Sequence, residues 1–334
     1  MAIEHFGLAA RTVFDAIQDF NSTTTIHQEA INTVTFQKLQ DTVSALATNN
    51  STDYNLSNQI ITVSPVYHAS APFQSVNWNL DFISDWVARE VLKRLNEVQK
   101  IEVRQVIDFF QGIPEAGPMV GSLFEPIAHN VISRDSGDGP WPLVRMDSNE
   151  KNRPIFVFPL EASPDNEVNL DRGMRDIVNF KSVGDLSTLE DKKYYIPDTR
   201  NFALFDSFMV NIDYPRRSAT LWILQVTKAQ LHRGSAKGYL YVRTLISILK
   251  NQLKEKPPPL ETHKKSSVQT PSKPVVTVRY ILVVPKNEPT NWQWQFPAGW
   301  DESRRLNDHC GQVYCLEIAL AAPPMGEFGS CLVM

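Results

Sequence analysis

Two apolar runs, Ala203–Ile212 and Ala219–Thr227, stand on either side of a turn that carries Asp213, Pro215, Arg216 and Arg217. Runs of this length, bounded by turn residues, read as two strands of a hairpin. Strands this apolar need cover on both faces, so the chain must supply helices or a second layer to pack on them. Yet the runs are not wholly apolar. Asp206 sits in the first, Gln225 and Thr227 close the second, and Lys228, His232, Arg233 and Lys237 follow. A polar group in a buried strand costs free energy unless it is paired or used. The hairpin is therefore both the expected centre of the fold and the first place to look for a site.

The rest of the chain supplies the cover. Residues 1–50 carry apolar residues at helical spacing (Phe6, Ala10, Val13, Phe14, Ile17, then Ile31, Val34, Leu39, Val43, Leu46), and 80–110 repeat the pattern with Trp86, Val87, Val91, Leu95, Val103, Val106, Ile107 and Phe110. Between them Ile60–Val63 reads as a short strand stopped by Ser64-Pro65. Gly112, Pro114, Gly117 and Pro118 mark a break, and a helix is predicted over Val120–Ser133. Pro126 allows a second reading, in which the helix starts at Ser122 and Ser122–Glu125 form a capping box. Ile155–Leu160, Asp176–Phe180, Val275–Pro285, Trp292–Phe296 and Gln312–Leu320 are strand candidates, and Gly238–Lys254 is an amphipathic helix. Residues 134–152 and most of 161–200 read as loop. The expectation is an α/β chain with a mixed central sheet flanked by helices. Its parts are a helical N-terminal region and connector (1–112), an α/β domain (113–325) with a proline- and lysine-rich mobile loop at about 255–274, and a flexible tail (326–334).

Bulk properties narrow the function. With 334 residues, 42% apolar and 21% charged, a large core is easily buried. A net charge of -4 disfavours a general polyanion binder but leaves room for a local basic face. Three cysteines without a CxxC pair fit a reducing, intracellular setting, cytoplasmic or nuclear. Glu4 and the lack of a long apolar core predict no signal peptide, and no run approaches the roughly 18 apolar residues of a membrane span.

Phosphate-loop, dinucleotide, zinc-protease and nucleophile-elbow motifs are absent. What remains is an oxygen-donor set. Asp206 is placed to hold a divalent cation such as magnesium, Gln225 offers an amide oxygen, Thr227 shares its face, and Glu125 comes from the preceding helix, one turn before His129. Lys228, Arg233 and Lys237, with His232, supply groups that grip phosphates.

The ordered set Gly121-Ser122-Leu123-Phe124-Glu125 in a helix, Asp206 in a strand and Gln225-Val226-Thr227 in the next resembles the restriction-endonuclease-like PD-(D/E)xK superfamily in its Mrr-type form. More closely, GSLFEPIAHNVI, YYIPDTRNFALFDSF, LWILQVTKAQLH and VRYILVVP look like the C-terminal half of Crinkler and retrotransposon-hot-spot-type effectors, over roughly residues 60–320. The resemblance implies a restriction-endonuclease-like core and a metal-dependent nuclease acting on DNA. Asp206, Gln225 and Glu125 would be its magnesium ligands, with Thr227 and His232 lining the site. Such proteins often carry a P-loop NTPase upstream; that module is missing here, and residues 1–110 look like its trailing helical part and the following connector. The chain departs from the pattern at Thr227, where the superfamily has a lysine that orients the attacking water. Threonine brings no positive charge, so the alternative is a catalytically inactive interaction protein that keeps the fold. Finally, Cys331-Leu332-Val333-Met334 fits a prenylation motif, which predicts membrane association through Cys331.

Overall fold

The computed structural model describes residues 15–48, 59–68, 71–99, 101–134, 139–148, 155–158, 167–199, 202–228, 231–233, 235–255, 273–286, 293–297, 299 and 311–319. The chain divides into two compact units, Met1–Ile127 with Leu320–Met334, and Ala128–Ala319. The division falls inside a helix, C-terminal to the Gly112–Pro118 segment. The expected mobile loop at 255–274, apart from its two ends, and the tail with Cys331 lie outside the described residues.

The first unit begins with α1 (Phe20–Thr33) and α2 (Phe36–Ala47). Asp19 caps α1 by accepting from the Ser22 amide, and Thr35 caps α2 by accepting from Lys38. A ribbon follows, β1 (Ile61–His68) antiparallel to β2 (Ala71–Phe82), and then α3 (Asp85–Gln99) and α4 (Val103–Gln111). The strand predicted to stop at Ser64 instead continues through Pro65. β1 pairs with β2 alone, and a strand with one open edge tolerates a residue that lacks an N–H. Phe82, inside the stretch 80–110 expected to be helical, instead ends β2. Gln99 ties the helices together: its amide accepts from Phe36 N–H at 2.9 Å and donates to the Val34 carbonyl at 3.2 Å. Ile31, Val34, Leu39, Leu80, Phe82, Val91, Leu95, Val106 and Phe110, the apolar positions of these elements, are fully buried.

A helix, α5 (Gly117–Arg134), crosses the division and runs through Pro126. Its start at Gly117 overturns the reading of Ser122–Glu125 as a capping box. Ser122 lies within the helix, and its hydroxyl donates to Asp81 at 2.8 Å.

The second unit holds an eight-stranded sheet with the order β6-β3-β14-β12-β10-β9-β8-β7. The strands are β3 (Trp141–Arg145), β6 (Glu167–Leu170), β7 (Asp176–Phe180), β8 (Lys193–Pro197), β9 (Ser207–Asp213), β10 (Ser218–Val226), β12 (Val275–Pro285) and β14 (Gln312–Ile318). A smaller sheet joins β4 (Asp147–Ser148), β5 (Ile155–Val157), β11 (Leu231–Arg233) and β13 (Gln293–Gln295). β8, β9 and β10 run antiparallel in turn. Helix α6 (Gly238–Glu255) then leads to β12, which lies parallel to β10. The chain is thus mixed α/β, with a large mixed sheet and helices against it. Tyr239, Val242, Leu245, Ile246, Leu249 and Leu253 of α6 pack with Phe208, Val210, Leu221, Ile223, Tyr280 and Leu282 of the sheet. At the far end of α5, Arg175 donates its backbone N–H to Ser133 and its guanidinium to the Ile132 carbonyl, so the helix stops with its last carbonyls paired. Burial pulls the Arg175 pKa down from its ordinary value, against the charges of Tyr194, Asp171 and Asp191.

Segments expected to be loop supply β3, β4, β6 and β8. β8 carries Tyr194 and Tyr195 into the interior, where Tyr195 stacks on Phe208 with ring centroids 4.6 Å apart.

Candidate functional site

β9 pairs with β10 from Ser218↔Asp213 up to Leu224↔Ser207. The next step of the ladder brings Asp206 opposite Gln225. Asp206, expected inside the first strand, lies one residue before it, at the point where regular pairing ends. Its backbone N–H donates to the Leu224 carbonyl at 2.9 Å. Its carboxylate Oδ2 accepts the Val226 N–H at 2.7 Å and also a short hydrogen bond from Gln225 Nε2. The acid thus takes over an amide that β9 no longer reaches. This reconciles a charged side chain with a half-buried position beside an apolar strand.

Side chains alternate along a strand, so Gln225 shares the face of Leu221 and Ile223, the face covered by α6. Gln225 and Thr227 are both buried, at 5% and 8% exposure. The Thr227 N–H donates to the Val283 carbonyl, which continues the parallel pairing with β12 beyond the end of β10. Asp206, Gln225 and Thr227 therefore lie at the carboxyl ends of two parallel strands, where open α/β sheets place ligands.

The segment that delivers Asp206 is strained. Leu204 has φ 85°, in the left-handed region that a branched side chain avoids, yet it is buried. Such a conformation costs on the order of 1–3 kcal/mol and persists only where its surroundings enforce it.

On the opposite face a second polar group is buried. His129 Nδ1 lies 2.9 Å from the Tyr194 hydroxyl, which lies 2.7 Å from Ser207 Oγ. Tyr194 and Ser207 are fully buried, and His129 is 8% exposed. Ser207 follows Asp206 in the chain, so the head of β9 is held from both faces. In the sequence Lys193–Ile196 reads as loop, and neither Tyr194 nor Ser207 stands out as a candidate.

The remaining candidates are more dispersed. Glu125 lies in α5, in the first unit, whereas Asp206, Gln225 and Thr227 belong to the second. His232 and Arg233 are on β11, paired with Trp294 and Gln295 in the smaller sheet and not in the sheet of Gln225. Lys228 is half-buried just past β10, and Lys237 is exposed immediately before α6.

The donor set bears on a cation. Among the described residues, no group of three His, Cys, Asp or Glu side chains is placed to hold a metal. Asp206 and Gln225 are bonded to each other, the amide nitrogen donating to the carboxylate. The cysteine among the described residues, Cys315, is buried in β14, and burial, with the charge of Glu317, raises its thiol pKa and disfavours the thiolate. Compared with protein-family models, with curated proteins and with solved structures, the chain matches none.

Proposed function

We propose that the second unit is a restriction-endonuclease-like domain directed at phosphodiester bonds of DNA, with Asp206 and Gln225 at its centre. The observation that carries this reading is the meeting of these two side chains at the end of the β9–β10 ladder. It is supported by the element order: α5, then Asp206 at the head of β9, Gln225-Val226-Thr227 at the end of β10, then α6 and the parallel strand β12. That is the order in which the sequence motifs resemble the Crinkler and PD-(D/E)xK proteins.

In this reading Asp206 and Gln225 would hold magnesium. Held there, the ion would neutralise phosphate charge and activate water for attack. The chain's own residues do the positioning. The Val226 amide fixes Asp206 Oδ2, Gln225 orients against it, and Thr227 presents a hydroxyl in place of a cationic group. Lys228 and Lys237 lie on the stretch that follows β10 and would meet the DNA backbone, as would Arg233 and His232. The test is nicking of supercoiled plasmid by the purified chain with magnesium or manganese. The expected result is cleavage that Asp206→Asn reduces at least about 100-fold, the scale on which loss of a central electrostatic group acts. No cleavage by the unaltered chain with either ion overturns the reading.

A second reading, an interaction protein that keeps the nuclease-like fold without catalysis, is favoured by two features. Asp206 Oδ2 is already engaged by Gln225 and Val226, and Thr227 cannot supply the charge of a lysine. DNA binding without cleavage is its expected signature. Both readings put the chain inside the cell. Among the described residues no helix is long and apolar enough to cross a membrane. A farnesyl group at Cys331 is the proposed route to a membrane, and intact mass from eukaryotic cells tests it.

A further inference from the structure

We infer that Gly238, the first residue of α6, is a positioning residue for Asp206. A Cβ at Gly238 would stand 2.2 Å from Leu204 Cβ and 2.4 Å from the Ala203 carbonyl oxygen. The start of the helix therefore rests directly on the backbone that delivers Asp206, with no room for a side chain between. Gly238 is not in the left-handed region itself, so the site requires glycine for space and not for rotation. The residue it presses on, Leu204, is the one held at φ 85°.

Leu204 and Phe205 are buried behind this contact. Immediately after them, the Asp206 N–H is fixed to Leu224, and its carboxylate receives Val226. The segment 203–206 is thus clamped between the helix start and the end of β10. The strain at Leu204 has a cause, the approach of α6, and a consequence, the aim of the carboxylate at Gln225. The inference rests on reading Asp206 as the centre of the site, but the joint can be tested without any activity.

The reporters are the Val226 backbone amide and the Gln225 side-chain amide, followed by NMR in the labelled full-length chain. Gly238→Ala is expected to shift both signals in the direction that Asp206→Ala shifts them. Leu249→Ala, a buried change in the same helix, is expected to lower Tm and leave both signals in place. A folded Gly238→Ala protein with unmoved reporters overturns the inference, because a merely structural glycine would change Tm and nothing at Val226. If Gly238→Ala does not fold, Leu204→Gly decides. It removes the Cβ under the helix and frees the strained backbone, so both reporters should shift or broaden, and unmoved signals again overturn the inference. Plasmid nicking by the unaltered chain is read separately. Its absence removes the nuclease reading, while the reporters still decide the role of Gly238.

Discussion

Val226 donates its backbone N–H to Asp206 Oδ2 at 2.7 Å, beside the head of β9, where its ladder with β10 ends. A strand end leaves amides without a ladder partner, and here a side chain one residue before the neighbouring strand takes that place. The same carboxylate gathers Gln225. Asp206 therefore has a structural role that exists whether or not the domain catalyses anything, and the two roles separate by substitution.

Asp206→Ala should destabilise the second unit by about 1–3 kcal/mol, because a buried amide loses its acceptor and Gln225 loses its partner. Asp206→Asn keeps an oxygen at the same position and should cost less. Urea unfolding of the three proteins checks this. Equal stability of the alanine variant and the parent would mean that the Val226 contact contributes nothing. If the asparagine variant is nearly as stable as the parent yet fails to cleave DNA, a failure to fold cannot explain its inactivity.

Tyr194→Phe should be among the more damaging single-atom changes in the second unit. The hydroxyl lies between His129 Nδ1 and Ser207 Oγ, and its removal takes a partner from each of two buried groups. A loss of about 1–3 kcal/mol is expected. A double-mutant cycle with Ser207→Ala should show coupling, since the two share one hydrogen bond. Strict additivity would show that the chain from His129 to Ser207 does not act as a unit.

The central hairpin, α6 and β12 were legible in the sequence because each is long, periodic and apolar: Gly238–Glu255 has its inward positions at Val242, Leu245, Ile246, Leu249 and Leu253. The pairing of Asp206 with Gln225 was legible as a suspicion, since polar residues stood where apolar ones were expected. Other elements gave less signal. β8 has five residues and β6 four, too short for a period to emerge from polar surroundings. β1 passes through a proline, which reads as a stop unless the open edge of the ribbon is known. The left-handed Leu204 and the approach of Gly238 to it are tertiary facts. No local pattern encodes a helix start pressing on a backbone more than thirty residues upstream in the chain.

Thr227→Lys tests the one departure that separates this chain from the motif it resembles. If the missing charge limits cleavage, the lysine should raise the rate of plasmid nicking with magnesium, by roughly 100-fold if it acts as a single stabilising group does elsewhere. Thr227 is 8% exposed, so the ammonium must be desolvated, and some loss of stability should accompany the gain. A folded Thr227→Lys protein that nicks no faster than the parent would show that lysine at this position is not what the site lacks.

Acid should weaken the first unit through His27. This side chain is 3% exposed in α1, with Nδ1 3.0 Å from the Gln59 carbonyl, and burial holds its pKa below the usual imidazole value despite that hydrogen bond. The unfolded chain therefore binds a proton more readily than the folded one. In the window below the ordinary pKa of about 6.5 and above the folded value, stability rises with pH. The contribution is complete above that window and is lost as pH falls through it. His27→Gln retains an amide that can donate to Gln59 and does not titrate. Between pH 7.5 and pH 5 the parent should lose more Tm than His27→Gln does. Parallel losses in the two proteins would show that the charge on His27 is not what acid acts upon in this unit.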